Sequence, residues 1–298
     1  MDWFFLAATS AILTAAATIF EKKSLFTLSA VDFSYRLGWL NLVLSIPFFF
    51  MLQSAPLTAA SLGVLFFKSI LTASAFLLIM ESIKNLQISR ALPLLALTPG
   101  FVAFFAFVFI GEALSINEWV GVGLLIVGIY LLETKGGQAL LDPLKVYRNS
   151  KHHHYLIIAM LLMTVASILD KVLLKDFKLP PVAFMAFQHL FYALIFTVVM
   201  LVKKEKLSGV FKYDTKALFL SVLFVAVCTI GYRLTQIEAV KIAPVALVLS
   251  IKRTSVFFAT VIGGRIFRDE NLIRKSIAAA ILVAGAILLL QGNPAAGG

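Results

Sequence analysis

A single cysteine, Cys228, in 298 residues leaves no intramolecular disulfide and no thiolate cluster for a metal. Charge is also scarce: Asp, Glu, Lys and Arg make up 14% of the chain, against about 25% in a soluble domain. No HExxH zinc motif, nucleophile elbow or glycine-rich phosphate loop occurs, so an enzyme reading has no residues to stand on and neither cofactor nor metal is expected. Acidic residues are the minority, 15 against 26 Lys and Arg. In a soluble protein the resulting pI of about 9.8 would point to nucleic acid. Here the basic residues gather between long uncharged runs, which points instead to the loops of a membrane protein and to no nucleic-acid partner.

The runs dominate what is present. The chain is 61% hydrophobic, with a mean hydropathy of +0.98. Segments of about 17–25 apolar residues suffice to cross a bilayer as helices. Ten are expected, near 3–20, 33–52, 61–81, 88–110, 116–132, 155–174, 180–202, 217–237, 243–264 and 275–291. The runs are continuous rather than alternating, which excludes a β-barrel. Only Asp2 precedes the first run and no cleavage site follows it, so it reads as a retained helix rather than a signal peptide. The 27 Phe read as lipid-facing bulk.

One long hydrophilic connection, 133–154, separates five runs from five. Its His152, His153 and His154 read as surface decoration of a loop. The halves share landmarks in the same order. Glu81 and Lys84 close the third run as Glu238 and Lys241 close the eighth, and Gly128 and Gly285 begin "GIYLL" and "GAILL". Glu21–Lys22 and Asp170–Lys171 end the runs that lead each half. The expectation is an all-α polytopic membrane protein of two five-helix repeats, 1–132 and 155–291, followed by a 292–298 tail. An odd helix number per repeat inverts one repeat relative to the other. Of the 26 Lys and Arg, 17 fall in the odd-numbered connections and 4 in the even-numbered ones, which places both termini outside.

Gly111–Glu112 followed by Gly121, Gly123 and Gly128, with a second copy running from Gly263 through Asp269–Glu270 to Gly285, resembles the repeat ends of the drug/metabolite transporter superfamily, in its EamA-like branch. The resemblance covers essentially the whole chain. It implies transport across a prokaryotic plasma (inner) membrane. It also implies termini in the cytoplasm for many members, opposite to the charge count.

Carriers built this way bind substrate near the bilayer midplane, at broken helices between the repeats. Pro99 and Gly100, in "LTPG", would break the fourth run and serve as a hinge, or merely kink it for packing. The corresponding place in the ninth run holds Lys252 and Arg253. Their side chains point about 100° apart, so both line a broad cavity more readily than one narrow partner. A pairing with Glu81 or Glu238 is the alternative. The resemblance extends to plastid phosphate and sugar-phosphate translocators, whose adjacent Lys-Arg holds phosphate; it implies that role for Lys252 and Arg253. Lys68 lies deep enough to join such a cavity. Gln188, His189 and Tyr192 cluster in the seventh run, with His189 a proton relay or a hydrogen-bonded packing residue. Arg233 and Gln236 do so in the eighth, with Arg233 and Glu238 as a possible structural pair. Arg36 reads as a snorkelling residue at the start of its run. Glu21, Glu81, Asp170 and Glu238 are the candidates for coupling or gating, with pairing to a neighbouring Lys as the bland reading of Glu21 and Asp170.

Intramembrane cations outnumber acids, which favours an anionic or zwitterionic small molecule: an amino acid, an organic acid or a phosphorylated compound. Without an ATPase motif, coupling falls to protons, another ion gradient or a counter-substrate. The expected function is secondary transport by alternating access. A lipid-linked carrier or flippase, and a membrane interaction protein that transports nothing, are the alternatives. The bilayer is the one other partner expected.

Overall fold

The computed structural model describes residues 3–52, 57–97, 115–133, 150–205, 212–242 and 245–292. Helices run in chain order as α1 (Trp3–Leu25), α2 (Ala30–Phe50), α3 (Ala59–Asn85), α4 (Ile88–Leu95), α5 (Ile116–Glu133), α6 (Lys151–Lys171), α7 (Pro181–Val202), α8 (Lys216–Ile242), α9 (Val245–Phe258) and α10 (Leu272–Gly292). A π-helical turn, Val172–Asp176, follows α6; another, Ala259–Gly263, carries α9 into a last short turn, Gly264–Ile266. No strand occurs among the described residues. In hydrocarbon each backbone amide needs an internal partner, and helices supply it.

Capping residues mark where several helices begin. Ser29 accepts the Asp32 amide at 3.0 Å, Thr58 and Ser61 form a reciprocal capping box, and Pro181 opens α7. Ser115 and Glu118 exchange amide bonds at the head of α5, at 2.7 and 3.4 Å. The histidine run is part of α6, which corrects its reading as loop decoration. His153 is buried, and its Nδ1 lies 2.8 Å from Ser150 Oγ at the helix start.

Among the described residues five helices are long and apolar enough to span a bilayer: α1, α3, α7, α8 and α10. Others are shorter or carry charge. Asp32 and Arg36 sit in the first turns of α2, Asp170 at the end of α6, and Lys252 and Arg253 in the 14-residue α9. Many hydroxyls inside the helices turn back on their own carbonyls, as Thr14, Ser34, Ser69, Thr164 and Thr229 do at 2.7–2.8 Å. They are satisfied locally and make no polar path.

The packing follows a two-fold pattern. α1 lies along α8 and α3 along α6, while α2 packs on α7 and α5 on α10. Exchanging each helix with the one five places later leaves this set of pairs unchanged. The α5–α10 pair is held close by glycine: a Cβ on Gly285 would stand 2.8 Å from the Gly121 carbonyl oxygen, and one on Gly128 2.6 Å from Leu282 Cγ. Small residues allow this approach where no hydrophobic force drives helices together. We therefore expect Gly285→Leu to separate the two helices and lower stability by about 1–3 kcal/mol through overpacking, read as a fall in melting temperature in detergent; an unchanged melting temperature would remove this contact from the account.

Candidate functional site

Three helices bring basic side chains to one layer, and α7 brings a buried histidine. Lys68 lies 9 residues into α3, His189 8 into α7, Arg233 9 before the end of α8 and Lys252 7 into α9. At 1.5 Å per residue these depths are about 10–14 Å, between the interface and the midplane of a ~30 Å hydrocarbon core.

Arg233 is the residue the others share. Its charge acts on Lys68, His189, Tyr192, Tyr232 and Lys252, drawn from α3, α7, α8 and α9. Asp170 is the carboxylate whose charge reaches it. The guanidinium stands 6.0 Å from the Tyr232 ring centre. On the far face of this network, Lys252 Nζ donates to Gln236 Oε1 and sits 4.8 Å over the same ring. Arg253 makes no hydrogen bond or ion pair among the described residues. Tyr192, Tyr232, Arg233, Gln236, Lys252 and Arg253 are all half-buried.

The opposite side of the network is neutralised. Lys68, 2% exposed, pairs with Asp170 at 2.9 Å and lies 4.7 Å from the Phe184 ring centre. Asp170 thus reaches across from the end of α6 to α3. Gln188 Nε2 donates to the Tyr192 hydroxyl at 2.6 Å. His189 is buried with Nδ1 2.6 Å from Ser45 Oγ on α2, the hydrogen-bonded arrangement that was the alternative to a relay.

The coupling candidates divide. Glu21 sits within α1, close enough to act on Tyr232 and Cys228 of α8, and has no hydrogen-bond partner among the described residues. Its neighbour Lys22 turns elsewhere, donating to the carbonyls of Ile83, Lys84 and Leu86 at 2.5, 3.0 and 2.9 Å, where a buried cation meets the exposed acceptors ending α3. Glu81 lies at that end too, accepting from Asn85 at 3.2 Å, and Glu238 is exposed near the end of α8. Pro99 and Gly100 lie outside the described residues.

Arg36 does not snorkel. It is 4% exposed, pairs with Asp32 at 2.7 Å, donates to the Lys212 carbonyl and covers the Tyr213 ring at 4.5 Å. Burial pushes the Tyr213 phenol up to about 12 although Arg36 opposes the shift, so the ring stays neutral. These residues and Glu205 and Asp214 line a hollow of about 300 Å³ at the ends of α1, α2, α7 and α8. Ser29 closes one side by donating to Glu205 at 2.7 Å. The same end is locked elsewhere by Phe26 against Phe267, 5.6 Å between ring centres, and by Ser89 donating its amide and hydroxyl to Asp269 at 2.9 and 2.5 Å. Tyr232, four before Gln236 in "GYRLTQ", is a neighbour the sequence spacing indicates. Ser45 was missed, since a lone Ser in an apolar run carries no signal. Among the described residues no three His, Cys, Asp or Glu are placed to hold a metal.

The model of the EamA-like transporter family matches residues 1–134 and again 152–291. The chain belongs to the EamA-like transporter family. It is an integral membrane protein of the drug/metabolite transporter superfamily, and the family is one of transporters rather than enzymes. No functionally curated protein matches the sequence. A crystal structure described only as that of a protein is similar across 95% of this chain and 94% of its own, with a TM-score of 0.64 and 15% identity, a likeness of fold.

Proposed function

We propose that this EamA-like protein is a secondary active transporter that moves a small anionic or zwitterionic metabolite by alternating access. The single observation that carries the substrate sign is the Lys252–Arg253 pair: two adjacent formal cations at membrane depth, neither paired with a carboxylate among the described residues. Such charges cost roughly 2.5–3.5 kcal/mol each at mid-membrane, which an incoming carboxylate or phosphate offsets. Arg offers it a planar fork and Lys a mobile point charge. Arg233, Lys68, Gln188, His189, Tyr192 and Gln236 form the rest of the proposed wall. Glu21 and Asp170 are the proposed coupling carboxylates, with protons or a counter-substrate as the driving partner. Glu81 and Glu238 would act at the ends of the helices, and Pro99–Gly100 would be the hinge facing α9.

Ten spans in inverted repeats, 1–132 and 155–291, are the frame of this proposal, and the two-fold pattern of helix pairs supports it. The bias of Lys and Arg toward the odd connections supports a locked end that faces the cytoplasm, with both termini outside. A thermal-shift screen of the purified protein against phosphorylated, dicarboxylic, zwitterionic and cationic metabolites tests the sign of the site. A ligand at 100 times its Kd adds about 2.7 kcal/mol to stability, so anionic or zwitterionic compounds should raise the melting temperature by several degrees. A larger rise with cations would overturn the proposal.

A further inference from the structure

We infer that the groove between α9 and α10 is a binding site for an anionic phospholipid, one acyl chain lying along the groove and the phosphate meeting Arg265. The groove holds about 400 Å³ and has walls almost entirely of apolar carbon. Phe257, Val261 and Arg265, spaced four apart, form one wall; Ile273, Ile277 and Ala280 form the other. It opens on the outer surface of the bundle, where Phe258, Ile262 and Ile266 of the same segment are 40–58% exposed. A long hollow that faces hydrocarbon fits a chain. The π-helical turn Ala259–Gly263 displaces the first wall, and the small Ala280 leaves the second one shallow.

Charge at one end selects the head group. Between Arg265 and Lys275, two residues are engaged inside the protein: Asp269 holds Ser89 of α4, and Lys275 donates to Gln87. Arg265 and Arg268 remain exposed, and Arg274 has a buried Nε with no hydrogen-bond partner. Asp269 and Glu270 are the two acids in that stretch, against Arg265, Arg268, Arg274 and Lys275. An apolar groove lined at one end by the Arg265 guanidinium, with Arg268 exposed three residues on, matches an anionic head group on an acyl tail, since arginine's fork suits phosphate and basic clusters at a membrane surface recognise anionic lipid. This inference stands apart from the reading of the Lys252–Arg253 site.

The test is native mass spectrometry of the full-length protein released from nanodiscs of equal phosphatidylglycerol and phosphatidylcholine. The wild type should retain phosphatidylglycerol several-fold over phosphatidylcholine. Arg265→Gln should bring the two to parity, and Ser276→Phe, which fills the groove, should lower both. Arg265 is exposed, so its variant should keep the wild-type melting temperature in detergent and remains informative if Ser276→Phe does not fold. Equal retention of the two lipids by the wild type, undiminished preference in Arg265→Gln, or lipid-free dimers seated through this face would each overturn the assignment.

Discussion

Replacing Lys252 and Arg253 together by glutamine should abolish substrate-specific uptake into proteoliposomes while the protein still inserts and folds. A hydrogen bond to a charged group is worth about 1.5–3 kcal/mol, or roughly 10–100-fold in affinity for each cation lost. Two losses at one anion put the effect at or beyond 100-fold. Stability should move the other way. Neither cation has a carboxylate partner among the described residues, so removing them strands no opposite charge and relieves their mutual repulsion and that with Arg233. The melting temperature should hold or rise. The single variants should differ: Lys252→Gln also loses its contact with Gln236 and the Tyr232 ring, whereas Arg253→Gln breaks no such contact. Uptake that survives in the double variant would assign the pair a structural role and remove the anion from the proposal.

How much of this arrangement can be read without coordinates depends on the range of the interaction. Helix positions follow from hydrophobic runs and local caps, so nine of the ten expected segments reappear to within a few residues, and the described part of the fourth begins where expected. α1 runs on to Leu25, where Lys22, instead of facing solvent, is held inside by the end of α3, a contact 61–64 residues away in the chain. Asp32 and Arg36 are four apart on one helix, so "DFSYR" carries a local signal for their pair, although Arg36 at the start of its run reads as a snorkelling residue. The pairing of Lys68 with Asp170, or of His189 with Ser45, spans more than a hundred residues. Only the packing of α3 on α6 and α2 on α7 creates it. In a membrane every helix is apolar nearly all round, and periodicity then says little about which neighbour it meets. That is why the cationic residues could be named from the sequence, but not the division into a neutralised side and an open side.

That division gives the last test. Asp170→Asn should destabilise the protein, because Lys68 is 2% exposed and would be left as a buried charge without its partner. Breaking a fully buried pair costs about 3–5 kcal/mol. The Asp170 side chain is 34% exposed, so water softens the loss to about 1–3 kcal/mol, between the buried and the surface limits. Lys68→Met in the same chain should restore most of it, since the long apolar side chain fills the space and no charge remains to be matched. In transport the two variants should part company. Asp170→Asn leaves the layer more positive, so an anionic substrate should bind several-fold tighter and turn over more slowly, having become the counter-ion that Lys68 lacks. The double variant restores the charge balance but not the carboxylate, so affinity should return toward wild type while any dependence of uptake on a pH gradient disappears if Asp170 carries the proton. A double variant that still responds fully to the gradient would move that role to Glu21, the remaining carboxyl close to Tyr232, and leave Asp170 as the partner that keeps Lys68 in place.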